Sequence, residues 1–220
     1  MAPEKRVTNF AVDVVDCLAE RPDAVAVTWI KPGAVSLDVT FHHLKLRSDK
    51  MARVLTDCGV QCGDSVLILL PLCVEWWETV LGCMKVGAIA VLGTAPSAPE
   101  ELVTEVRLSG AQTLIAAMTM AERIEAIIAQ TPITCKLGVG WEREGWIDSD
   151  RRVSLATAER PSLQTRADDA CLLILSTDPN APPATYYHGD RTFELDLLDA
   201  WRDGRTIQVS EPTPEQMAFS

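Results

Sequence analysis

"DSVLILLPLCVEWWETVLGCMKVGAIAVLGT", residues 64–94, carries the fold in miniature. An unbroken apolar run, Ser65 to Leu70, reads as a strand buried on both faces, and Pro71 ends it. A segment with helical periodicity follows, from Val74 to Gly87, and then a second short apolar run, "AIAVLG". Gly63-Asp64 supplies the tight turn into the first strand. Strand, helix, strand with no hairpin signal between them is the pattern of a βαβ unit, whose strands lie parallel.

The same rhythm extends outward in both directions. Towards the amino terminus, "VTNFAVDVVDCLAERP" places Phe10, Val14, Val15 and Leu18 on one helical face, with Pro22 beyond its end. "AVAVTWI" and "VSLDVT" read as two strands joined at "KPGA". Thr40 is placed to cap a helix with apolar positions Phe41, Leu44, Met51, Val54 and Leu55. Towards the carboxyl terminus come a helix in "PEELVTEVRLSG", a strand in "AQTLIAA", a helix in "MAERIEAIIAQ" and a strand in "CKLGVG". The pattern fails from Trp141 to Arg166, which reads as a long irregular connection. "ACLLILS" is again a buried strand, followed by a loop, an amphipathic "TFELDLLDAW" and a short "TIQVS".

The expected fold is therefore α/β, with parallel-sheet βαβ layers and helices on the sheet faces. Its parts are an α/β subdomain over 1–140, an irregular connection over 141–166, a strand, loop and helix over 167–210, and a tail over 211–220. In such sheets ligands bind beyond the carboxyl ends of the strands.

Composition narrows the function classes. At 220 residues, 47% apolar and 23% charged, the chain has the make-up of a globular protein with a substantial core. A net charge of −11 argues against nucleic acid as a partner. No apolar run is long enough for a transmembrane segment, and the opening "MAPEKRVTNF" is no secretory signal. Seven cysteines (17, 58, 62, 73, 83, 135 and 171) show no metal-site spacing, so no metal is expected and the thiols read as reduced, in a cytoplasmic protein.

Two pairs invite chemistry and resist it. Trp76 and Trp77 read as helix-packing residues rather than a stacking platform for a ligand. His42 and His43 diverge by roughly 100° on a helix and cannot easily chelate one ion, so a surface or capping role is expected.

Three passages together resemble a known family: "NFAVDVVD" (9–16), the run from Val39 to Thr94, and the strand and loop from Cys171 to His188. They are similar to the amino-terminal part of acyl-CoA synthetases in the AMP-binding, adenylate-forming superfamily, closest to the medium-chain branch. The resemblance implies the fold of the N-terminal subdomain of those enzymes. It also implies that "LSTDPNAPPATYYHG" (175–189) stands where the family has a phosphate loop of the form hydroxyl-Ser-Gly-Thr-Ser/Thr-Gly-x-Pro-Lys, with a histidine shortly after.

Aligned on the proline and that histidine, Ser176 and Thr177 keep the opening hydroxyls, Pro183 the proline and His188 the histidine. Asp178 replaces a glycine, Pro179 a threonine, Asn180 a hydroxyl residue, Ala181 the second glycine and Ala184 the lysine. Glycines in such loops let backbone amides approach an anion closely. Pro179 removes an amide donor, Asp178 adds a like charge, and Ala184 deletes the cation. The loop reads as degenerate, and no cofactor is expected to bind there.

The family's later motifs have no counterpart, because the chain stops soon after His188. The expectation is a truncated acyl-CoA synthetase-like protein that does not form an acyl-adenylate alone: a pseudoenzyme or interaction module. Its partner would be a second copy, as a homodimer, or another protein, bound through exposed apolar surface. An alternative is an ATP-independent enzyme acting on an apolar acyl or polyketide-like small molecule. His188, Asp190 and Tyr187 are its candidate acid-base residues. Half of a split acyl-CoA ligase is a second alternative.

Overall fold

The computed structural model describes residues 8–30, 36–94, 98–140, 143–159, 164–176, 182–193 and 195–210. Its centre is a seven-stranded sheet. The strands are β3 (Ser65–Leu69), β4 (Ile89–Leu92), β5 (Thr113–Ala117), β6 (Cys135–Val139), β7 (Ile147–Asp148), β8 (Ala170–Ile174) and β9 (Ala184–Tyr187). They lie in the order β7-β6-β5-β3-β4-β8-β9, and every pair is parallel except β8 with β9. A smaller sheet sets β1 (Val25–Ile30) between antiparallel β2 (Leu37–Thr40) and parallel β10 (Ile207–Ser210).

The apolar runs need cover on both faces, and the helices divide accordingly. Side chains alternate across a strand. Val66 and Ile68 of β3 therefore join Ala90, Ile115 and Leu137 in one core, with α1 (Phe41–Asp57) and α2 (Val74–Lys85) over them. Leu67 and Leu69 join Val91, Leu114 and Ala116 in a second core, covered by α3 (Pro99–Ser109) and α4 (Ala121–Ile127). The chain passes from β4 back across β3 to reach β5, and this reversal places helices on both faces.

Local signals explain most boundaries. Thr40 adopts an extended conformation, and its Oγ1 accepts from the backbone N–H of His43 at 3.1 Å, closing the start of α1. Gly110 ends α3 in the left-handed conformation at φ 64°. Helices α1 and α2 approach closely at Gly82, where a Cβ would fall 2.6 Å from Cγ of Met51.

Trp77 is 1% exposed and lies 4.8 Å from both Trp76 and Trp201, with Phe41 5.5 Å from Trp201. This cluster joins α1 and α2 to α6 (Asp196–Arg202), so both tryptophans of α2 pack the core.

Several elements differ from the sequence reading. The first helix is a π-helix over Ala11–Asp16, and the wider turn fully buries Phe10, Ala11 and Val15 while Val14 and Leu18 are half-buried. The connection expected to be irregular over 141–166 contains β7 and a helix, α5 (Ser149–Leu155), capped by Asp148 through a bond from the N–H of Arg151 at 2.9 Å. The loop after β8 leads into a strand, β9, rather than a helix. The "KPGA" turn and the 211–220 tail lie outside the described residues.

Candidate functional site

The parallel strands β3, β4, β5, β6 and β8 all finish at one edge of the sheet. There β4 passes into Gly93 and Thr94, and β8 into Leu175 and Ser176. Leu175 donates its N–H to the carbonyl of Leu92 at 3.1 Å, extending the β4–β8 pairing to the mouth of the loop. Gly93 is held close beneath, because a Cβ there would meet Cδ2 of Leu69 at 2.4 Å and Oε1 of Glu105 at 2.8 Å. The carboxylate of Glu105, itself buried, accepts from the N–H of Thr94. A carboxylate thus stands at the carboxyl end of β4, against Gly93 and Thr94.

Thr177, Asp178, Pro179, Asn180 and Ala181 lie outside the described residues. On either side of them Ser176 is exposed, Pro183 half-buried and Ala184 exposed. Ala184 opens β9 opposite Ile174 of β8, so a bare methyl occupies the position that the alignment assigns to lysine. Because a strand follows, no helix dipole points at the loop from this element.

Beyond the loop, β9 sorts its side chains. Tyr186 turns inward with its ring 6.2 Å from Phe193, and Tyr187 is 41% exposed. Asp190 accepts from the N–H of Tyr187 at 2.8 Å and donates its own N–H to the carbonyl of Tyr187 at 3.0 Å, forming a closed turn. Gly189 sits in that turn against Ala167, whose Cβ would lie 2.8 Å from an added Cβ.

His188 points the other way and has no exposed surface. Its Nδ1 accepts the backbone N–H of Phe10 at 3.2 Å, and the backbone N–H of His188 donates to the carbonyl of Asp169 at 3.2 Å. Burial pushes the imidazole down to about 4, against smaller opposing effects of Asp169 and Asp13. A neutral ring accepting at Nδ1 carries its proton on Nε2, which is buried with no hydrogen-bond partner among the described residues. The structure therefore does not bring His188 and Asp190 together: one faces the core and the other closes a surface turn.

The contact of His188 with Phe10 joins two of the family-like passages directly. Asn9 continues the junction, donating from Nδ2 to the carbonyl of Met84 at 2.8 Å and to Oγ1 of Thr165 at 3.1 Å. Phe10 packs edge-on to Phe193 at 4.9 Å, and the guanidinium of Arg202 lies about as far from each ring, 5.0 Å and 4.9 Å. Pairings this distant in sequence carry no local signal, so sequence reasoning missed the contact of His188 with Phe10 and that of Arg202 with the Phe10 and Phe193 rings.

His42 is exposed. His43 lies in the first turn of α1 and donates its backbone N–H to the Thr40 cap, and its Nε2 lies 3.3 Å from Oε1 of Glu78, which Arg47 also engages at 3.0 Å. Among the described residues no group of three or more potential ligands could hold a metal ion. Among them, too, no helix is long and apolar enough to cross a membrane.

Comparison with known proteins agrees with this architecture. The model of the family described as AMP-binding enzyme matches residues 15–181. Acyl-coenzyme A synthetase ACSM5, mitochondrial, of Rattus norvegicus is 26% identical over 209 residues, covering 91% of this chain and 36% of that relative. Acyl-coenzyme A synthetase ACSM3, mitochondrial, of Mus musculus is 28% identical over 198 residues, covering 86% and 34%. The chain thus spans little more than a third of these relatives.

Among solved structures, the anthranilate CoA ligase AuaEII in complex with anthranoyl-AMP superposes with a TM-score of 0.80 at 20% identity, over 94% of this chain and 45% of that one. A long-chain-fatty-acid-CoA ligase, FadD1, from Archaeoglobus fulgidus gives 0.81 at 15% identity, over 97% and 49%. The sheet order, the two covered faces and the match over most of the length lead to one assignment: the chain belongs to the AMP-binding enzyme family.

Proposed function

We propose that this member of the AMP-binding family does not grip ATP through its phosphate loop and serves as a non-catalytic interaction module. The observation that carries the reading is the exposed methyl of Ala184 at the position aligned with the family's lysine. In the sequence, Asp178 and Pro179 add a like charge and remove an amide donor. The buried carboxylate of Glu105 beside the loop mouth works in the same direction.

The interaction surface is proposed on apolar side chains left in solvent, including Ile30 and Leu37 of the small sheet and Tyr187 of the edge strand β9. A second copy of the chain or another protein would cover them. A cytoplasmic setting belongs to the same proposal and rests on the sequence features above.

Calorimetric titration with ATP and magnesium tests the central claim. The chain should give no saturable heat, and a variant restoring D178G, P179T, A181G and A184K should gain binding. Saturable binding by the unaltered chain would overturn the proposal. Sedimentation over a wide concentration range tests the module, which predicts association; a monomer at every concentration, with no partner, removes that part.

A further inference from the structure

The segment leading into β7, β7 itself and helix α5 border an open cleft of about 620 Å³. It lies at the β7 edge of the seven-stranded sheet, whereas the phosphate loop leads into β9 at the other edge. A cleft of this volume is of the size that takes a small molecule.

Its charge runs against that of the chain. Three cations, Arg143, Arg151 and Arg152, line it with two carboxylates, Glu144 and Asp148, on a protein whose net charge is −11. Asp148 is committed locally, because its Oδ1 accepts the backbone N–H of Arg151 at 2.9 Å. All three arginines are exposed, and among the described residues no salt bridge engages Arg143 or Arg152. An anion repelled by most of this surface meets the opposite sign here.

The walls are held in place from behind. Trp146 is buried and donates from Nε1 to Oε1 of Glu125 at 2.5 Å. Lys136 reaches the same oxygen at 2.6 Å, with its Nζ 5.3 Å from the centre of the Trp146 ring. Val153 anchors α5 in the core, and Nζ of Lys50 on α1 donates to the carbonyl of Ser154 at 3.2 Å. Leu155, also lining the cleft, is left in solvent and adds nothing to the core. A wall fixed before binding lowers the ordering cost of taking up a ligand.

We propose that this cleft binds a small organic phosphate monoester, with its head on Arg143, Arg151 and Arg152 and its apolar body against Trp146 and Leu155. The planar guanidinium fork matches phosphate oxygens two at a time. A monoester dianion brings two charges and three terminal oxygens to three such forks, where a carboxylate brings one charge and two oxygens. The apolar body covers the leucine that the fold leaves in water. The site shares no residue with the phosphate loop, so it stands whether or not that loop holds ATP.

The experiment titrates phenyl phosphate into the full, isotopically labelled chain and follows the backbone amide resonances. A saturable shift centred on residues 143–155 is expected, with inorganic phosphate and phenol each binding more weakly than the ester. Arg152→Gln should weaken binding roughly fivefold, and Glu144→Gln should tighten it about twofold. Both side chains are exposed, so neither change should move the unfolding midpoint, and a merely structural role would not shift affinity in opposite directions. The proposal is overturned if no saturable shift appears in 143–155, if phosphate or phenol alone binds as tightly as the ester, or if Arg152→Gln binds like the unaltered chain. Sedimentation with phosphatidic acid vesicles separates a lipid headgroup from a soluble ester. Pelleting with vesicles, without a shift from phenyl phosphate, would assign the cleft to a membrane surface and overturn the proposal as well.

Discussion

The Nζ of Lys85, on a residue 1% exposed, lies 2.8 Å from Oδ1 of Asp16 and 2.8 Å from Oδ1 of Asp49. One cation thus joins the π-helix, α1 and α2 beneath the surface. Burial pushes the Asp16 carboxyl up from its ordinary range, and Lys85 pulls it back. The pairing holds because each charge would be costly to bury alone.

Removing the cation should therefore be expensive. Lys85→Met is expected to destabilise the fold by about 3–5 kcal/mol, because two carboxylates stay behind in a dry site. Lys45 also reaches Asp49, at 2.7 Å, but its side chain is 41% exposed. Lys45→Met should cost about 1 kcal/mol or less. Urea unfolding midpoints of the two variants check this; equal losses would refute the assignment.

At the crossing of α1 and α2, Gly82→Ala should destabilise by about 1–3 kcal/mol through overpacking against Met51. The companion change Met51→Ala makes room and should recover part of the loss in the double variant, relative to the sum of the singles. Thermal unfolding of the four proteins in the cycle measures that coupling. Strict additivity would show that the two helices do not meet there.

His188 should make stability fall with acid. Its imidazole titrates near 4 in the folded chain, down from an ordinary 6.5. The unfolded chain thus binds the proton more readily, and stability rises with pH across that interval. The contribution is fully present above about pH 6.5 and is lost as pH falls towards 4, by up to about 3 kcal/mol. Asn can accept the Phe10 N–H without titrating, so the stability-pH slope between 6.5 and 4 should flatten in His188→Asn. An unchanged slope would mean that the histidine is not held neutral.

Thr40→Ala should cost about 0.5–2 kcal/mol, and Thr40→Ser much less, since only the hydroxyl oxygen caps the N–H of His43. Chemical denaturation separates them; equal losses would assign the effect to the γ-methyl group instead.

Thr40 also illustrates how far local reading reaches. A capping hydroxyl, a proline after a strand and a glycine after a helix act within a few residues, so their effect is written beside them. The apolar runs at β3, β4, β5 and β8 were legible for the same reason: a strand buried on both faces has no polar side to interrupt it. Helix α5 escaped notice because "SDRRVSL" offers two apolar residues, Val153 and Leu155, of which Leu155 is 74% exposed. Strand β9 escaped because four residues after a proline-rich loop carry too little alternation to register.

Residue type and spacing were thus enough for the α/β class and the parallel core strands, since each depends on chemistry local to the chain. Long-range packing governed the rest. The ring of His188 faces Phe10, 178 residues away, and Asp190 folds back onto Tyr187. Burial turned a candidate acid-base group into a neutral core acceptor. Such contacts arise from the free energy of the assembled sheet and helices, to which a side chain's own neighbours in sequence contribute only part.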